Sequence, residues 1–199
     1  MQKPAVTQVA IDPLLAARWS SLAFDPNKPI SPEKIIALVE AAHWAPSSYN
    51  DQPWRFIVCD KHSQPQAWKL AFDCLVPANQ AWLVHAPLLL IGCANTLLEM
   101  NQKPNRFGQY DTGAAAVSLC LQATSMGLMT HQMGGFNADK AREDFAIPAQ
   151  FTPMAMLAVG YAADASNLPE DLSARETAAR KRKPLGELFF NGAWAKPII

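Results

Sequence analysis

Trp44-Ala45-Pro46-Ser47-Ser48-Tyr49-Asn50-Asp51-Gln52-Pro53-Trp54-Arg55-Phe56-Ile57-Val58 is the stretch on which the reading of this chain turns. Just upstream, Ser31-Pro32-Glu33 supplies a serine cap, a proline at the first helical position and an early acid. Ile35, Leu38, Val39 and Ala42 then recur at helical spacing, which predicts a helix to about His43. Downstream, Arg55 to Cys59 reads as a short strand. Between them, Ala45 to Trp54 crowds hydroxyls, amides, prolines and a tryptophan into more chain than a turn requires. An ordinary capped loop accounts for the prolines but not for the polar side chains. Stiffened hydroxyl and amide groups suit recognition of a flat, polar ring edge.

Outward from this loop, helices alternate with a few apolar strands. Gln66 to Leu75 reads as a helix stopped at Pro77, and Asn79 to Val84 as another. Leu88 to Ala94 (LLLIGCA) is a buried strand without alternation, as expected when both faces are covered. Residues 95 to 109 read as a loop with one helical turn. Asp111 to Met126 is the most apolar helix, with Ala115, Ala116, Cys120 and Ala123 small enough to admit a close neighbour and Gly127 as its stop. Asn137 caps a short helix to Phe145, and Met154 to Ala162 is the third strand-like run. Asp164 to Lys183 is polar and reads as an arm. The expected architecture is α+β: one domain over residues 1–199, with a small central mixed sheet covered by helices. No GxGxxG follows a strand and no GxxxxGK[ST] occurs, so the commonest nucleotide-binding loops are missing.

Composition excludes several classes of partner. Among 199 residues, seventeen basic side chains balance seventeen acidic ones, so no global charge draws the chain to nucleic acid or an anionic membrane. The longest apolar run, Trp82 to Ala94, is interrupted by His85 and Pro87. It falls short of the roughly 20 residues that span a bilayer. The N-terminus has no signal-peptide core, so a soluble, cytoplasmic protein is expected. Cys59, Cys74, Cys93 and Cys120 form no CxxC and lie within apolar runs. Buried, reduced thiols are expected, and no metal site.

Three further places carry potential chemistry. In Arg18-Trp19-Ser20-Ser21, an arginine fork and a serine hydroxyl two residues apart can reach one phosphate, although a solvated arginine at a helix end is the plainer reading. His131-Gln132-Met133-Gly134-Gly135-Phe136 has paired glycines that let the backbone approach a ligand, or simply make a turn. Arg180-Lys181-Arg182-Lys183-Pro184 is a solvated basic face or a site for one phosphate; it lacks the aromatic interleaving of a nucleic-acid surface.

In this order, the four places resemble the FMN-dependent nitroreductase family from Arg18 to about Trp194. WAPSSYNDQPWRFIV is the most specific piece, supported by RWSSLAFD, YDTGAA, MGLMTHQMGGF and RKRKPLGELF. The resemblance implies a homodimer with FMN at the subunit interface and an extended C-terminal arm crossing to the partner. It implies that Arg18 and Ser20 hold the FMN phosphate together with Arg180 and Arg182. Pro46, Ser47, Ser48 and Asn50 would reach the flavin from the partner subunit, and Asn79 would bond the polar ring edge. Met133, Gly134 and Gly135 would place a backbone N–H against flavin N5. Hydride would pass from NADH or NADPH to a nitroaromatic or quinone acceptor by a ping-pong route, with no catalytic side chain. His43, His62, His85 and His131 are then structural.

The chain departs from the family pattern at Leu22 and Trp82, where basic residues are common. Their loss implies a lower flavin potential or a looser hold, with Trp82 stacking near the acceptor pocket. Other uses of the same fold are dehalogenation, flavin breakdown and flavin storage. A flavin-free dimeric binding module, with its basic tail on an acidic partner, is the reading from a different class.

Overall fold

Leu88–Asn95 forms the strand around which the chain is arranged. The computed structural model describes residues 3–199. In chain order the helices are α1 (Pro13–Ala17), α2 (Pro32–His43), α3 (Pro65–Asp73), α4 (Pro77–Leu83), α5 (Gly108–Ser125), α6 (Ala138–Asp144) and α7 (Glu170–Thr177). The strands are β1 (Trp54–Asp60), β2 (Leu88–Asn95), β3 (Leu128–Met133) and β4 (Phe151–Tyr161), in sheet order β1-β2-β4-β3. Ile91 of β2 faces Ile57 on one side and Met156 on the other, and Gln132 faces Leu157.

Successive strand side chains point to opposite faces, so one apolar run serves two cores. Leu89, Ile91, Met156 and Ala158 meet Trp68 and Ala71 of α3, Trp82 and Leu83 of α4, and Ala141 of α6. Leu88, Leu90, Leu157 and Val159 meet Leu38 and Ala42 of α2 and Ala115, Leu119 and Ala123 of α5. Each fully buried leucine contributes about 1.5–3 kcal/mol, so the two layers hold the sheet firmly. Alanines on α5 let α2 pack along it, as their size suggested. The caps act as expected: Ser31 Oγ accepts from Lys34 N at 3.4 Å, and Asn137 Oδ1 accepts from Lys140 N at 2.9 Å.

The sheet differs from the mixed one expected. Its three ladders are antiparallel, and the parallel element is a single bridge between Ser20 and Thr130 at the β3 edge. β3 itself was not foreseen as a strand. It is six residues long and buries Leu128, Thr130 and Met133, so a polar threonine occupies one of its inward positions. The 164–183 segment is only partly an arm. Its helix α7 buries Leu172 and Glu176, and Leu172 joins the core on the α3 side. Two buried side chains in an otherwise polar helix leave too little hydrophobic pattern to see. The four cysteines are free and buried, as expected. Burial first pushes the Cys59, Cys74 and Cys93 thiols up to about 11, which keeps them protonated and unreactive. Among the described residues no helix is long and apolar enough to cross a membrane, and no His, Cys, Asp or Glu cluster could hold a metal.

Candidate functional site

Residues 3–20 and the segment at residues 175–182 meet in a cationic pocket. Asp12 caps α1 by accepting from Leu14 N at 2.8 Å, and Arg18 leaves the helix in extended conformation. Two residues on, Ser20 bridges Thr130 of β3. The basic run after α7 returns to the same place, so Lys3, Arg18, Ser20, Arg175, Arg180 and Arg182 line a cleft of about 240 Å³. None of these five cations joins an ion pair among the described residues. Arg180 is positioned by bonds from its Nη1 to the carbonyls of Lys3 (2.8 Å) and Ala16 (2.7 Å). Burial, then the neighbouring Arg18 and Arg182 guanidiniums, push the Arg180 pKa below the ordinary arginine value. A multiply charged anion is the ligand that relieves such crowding.

Beneath this pocket lies a buried carboxylate. Glu176 accepts from Ser21 Oγ at 2.5 Å and from Leu22 N at 2.8 Å, pinning the segment that carries Arg18 and Ser20. His131 Nδ1 lies 2.9 Å from the Ser21 carbonyl, so this nitrogen carries the proton. Burial is the main influence on His131 and pushes its pKa down, which favours the neutral ring.

A second group forms where β3 ends. Asn79 Nδ2 donates to the Gly135 carbonyl at 2.9 Å, and Val76 N donates to the same oxygen at 3.1 Å. A side chain at 135 would disturb this pair: a Cβ there would stand 2.7 Å from Asn79 Nδ2 and 3.1 Å from Val76 Cγ2. With that carbonyl held from both sides, the orientation of the Met133-Gly134-Gly135 backbone is set.

The third group is the polar loop. Tyr49, Asn50 and Gln52 all adopt positive φ, at 54°, 56° and 48°. Such a run of non-glycine residues persists only where its surroundings hold it. Ser47 Oγ accepts from Gln52 N at 3.0 Å, and the buried Asp111 at the start of α5 accepts from Ser48 N at 3.0 Å. Asp51 then ties the loop to the 96–105 segment, accepting from Glu99 N and from Asn105 Nδ2, both at 2.9 Å.

The Nitroreductase family model matches residues 15–161. The chain belongs to this family. It is similar to a solved structure described as an oxidoreductase containing FMN, with 38% identity, 96% of each chain covered and a TM-score of 0.89. It also resembles a nitroreductase family protein from Clostridium difficile 630, at 26% identity over 88% of this chain and 94% of that one, with a TM-score of 0.67. A Bacillus subtilis protein provisionally named an NAD(P)H nitroreductase is 26% identical over 187 residues, 76% of this chain and 88% of its own length.

Within this nitroreductase chain the predicted residues fall into three sets. Arg18, Ser20, Arg180 and Arg182 come together, as do Asn79 and Met133 to Gly135. Strand β3 connects the two sets: Thr130 sits beside Ser20, and four residues at about 3.3 Å each carry the chain about 13 Å to Gly134. Pro46, Ser47, Ser48 and Asn50 lie on the loop between α2 and β1, where their polar groups bond within the loop and to Asp111 rather than to either set. Trp82 is not available to an acceptor as expected; it is 3% exposed, stacked at 6.3 Å on Phe24 and 4.6 Å from His131. Leu22 is likewise core, at 4% exposure, so a basic residue introduced there would be buried before it could influence a flavin. Sequence reasoning missed Lys3, Arg175, Glu176, Asp51 and Asp111. Lys3, Arg175 and Glu176 sit in no recognisable local motif; Asp51 and Asp111 lie within quoted stretches, but each of the five gains its role from a partner distant in the chain.

Proposed function

We propose that this chain is an NAD(P)H-dependent FMN oxidoreductase that works in the cytoplasm as a homodimer, with residues 1–199 forming one flavin-binding unit. The observation that carries the reading is the cationic pocket joined by β3 to the Asn79–Gly135 pair. The donor set suits FMN. Arg18, Ser20, Arg180 and Arg182 would hold its phosphate, Asn79 the polar ring edge, and Gly135 N–H the N5 side with Met133 and Gly134 beside it. Pro46, Ser47, Ser48 and Asn50 would come from the second copy, as the family resemblance implies; within their own chain they bond inside the loop and to Asp111.

Bound FMN supplies two-electron transfer from NADPH or NADH to a nitroaromatic or quinone acceptor in alternating half-reactions. The protein binds, orients and tunes. Charge-assisted donors would fix the phosphate end, and the Gly135 N–H would face the reactive edge, on a residue whose carbonyl is held by Asn79 and Val76. No side chain is required as an acid or base, since the neutral His131 ring is engaged with Ser21. Dimerisation is supported by Trp44, Tyr49, Tyr110 and Val117, large apolar side chains exposed around the polar loop and along α5. Leu188, Phe189 and Trp194 are exposed on the C-terminal segment, which fits an arm lying on a partner.

The test is an absorbance spectrum of the purified protein, repeated without oxygen after adding NADPH and then NADH. A flavin spectrum that bleaches with either nucleotide is expected. A protein that neither carries nor takes up FMN overturns the proposal.

A further inference from the structure

One cation enters the phosphate pocket from the start of the chain, where neither a local motif nor the family pattern points. Ala5 N donates to the Ala16 carbonyl at 2.9 Å, which lays the N-terminal strap along α1. Within this strap the Lys3 carbonyl accepts from Arg180 Nη1 at 2.8 Å. The Lys3 ammonium lies over the Trp19 ring, 4.3 Å from its centre, and donates to the Glu176 carbonyl at 2.5 Å. That bond uses one of the three ammonium protons and leaves the others free for a ligand in the cleft that Lys3 lines. The strap thus touches Arg180 and Trp19 of the pocket wall, Glu176 beneath it and Ala16 of α1.

We propose that Lys3 is a phosphate-binding residue of the flavin site and that the strap carrying it aligns Arg180. The assignment rests on the flavin reading above. A phosphate monoester bears close to two negative charges at neutral pH. The arginine forks match its oxygens in pairs, whereas an ammonium acts as a compact point charge that can face the remaining oxygen. The strap thus brings the first residues of the chain into the recognition of FMN over a phosphate-free flavin.

Lys3→Met in the full chain keeps the carbonyl that holds Arg180 and a stem of similar length, and removes the ammonium together with its bond to the Glu176 carbonyl and its contact with Trp19. Dissociation constants for FMN and for riboflavin, read from flavin fluorescence quenching, separate the outcomes. FMN affinity is expected to fall roughly tenfold with riboflavin unchanged, and Lys3→Arg is expected to restore most of the loss. Unchanged FMN affinity in Lys3→Met overturns the proposal. A parallel loss for both flavins also overturns it, because a structural disturbance does not distinguish the phosphate. Wild-type protein that takes up neither flavin overturns the proposed function itself, and this assignment with it.

Discussion

The polar loop at residues 46–52 and the cationic pocket are built in opposite ways. The loop is contiguous, and its unusual backbone is held by Ser47, Asp51 and Asp111, all satisfied without a ligand. The pocket collects Lys3, Arg18, Arg175, Arg180 and Arg182 from two distant segments of the chain and leaves their charges facing one another. One region is preorganised by hydrogen bonds within the protein; the other gathers cations that form no ion pair among the described residues. A contiguous loop can be fixed by its own hydrogen bonds, whereas like charges gathered from distant segments favour an anion between them.

The comparison breaks most visibly at the pocket floor. Glu176→Ala leaves the buried Ser21 hydroxyl and Leu22 N–H without acceptors. Stability should fall by about 3 kcal/mol. Because Glu176 pins the segment carrying Arg18 and Ser20, FMN affinity should fall more than riboflavin affinity. Urea denaturation with paired flavin titrations checks both; a stable variant with intact FMN preference would mean that the floor does not position the pocket.

A smaller effect is expected at the loop. Asp111→Ala removes the acceptor of Ser48 N and should cost about 2 kcal/mol. Here the ratio of FMN to riboflavin affinity should stay constant, since the phosphate contacts are untouched. A changed ratio would show that the two regions are coupled.

The smallest effect concerns pH. His131 has a folded pKa below its ordinary value of 6.5, chiefly from burial. Between the two values the unfolded chain binds more protons than the folded one, so stability is lost as pH falls below about 6.5. His131→Gln, which can still donate to the Ser21 carbonyl, should flatten that part of the stability–pH curve. An unchanged slope would assign the acid sensitivity to other groups.

Much of the fold was legible because its signals are local. Ser31 and Asn137 cap the helices they were expected to cap, and Leu88 to Ala94 lies in a strand covered on both faces. The polar loop was visible for the same reason, being one unbroken stretch of unusual composition. β3 escaped because Thr130 is buried only through what packs on it, and its six residues carry no clear alternation of their own.

Local pattern was enough to read strands β1, β2 and β4, most of the helices, and the residue types able to meet a phosphate and a polar ring. It took the folded chain to bring Lys3 and Arg175 beside Arg18, to set Glu176 beneath them, and to bury Leu22 and Trp82 in the core. Periodicity and capping are written within a few neighbouring residues. The convergence of charges depends on how segments far apart in the chain are brought together, and that is fixed by packing.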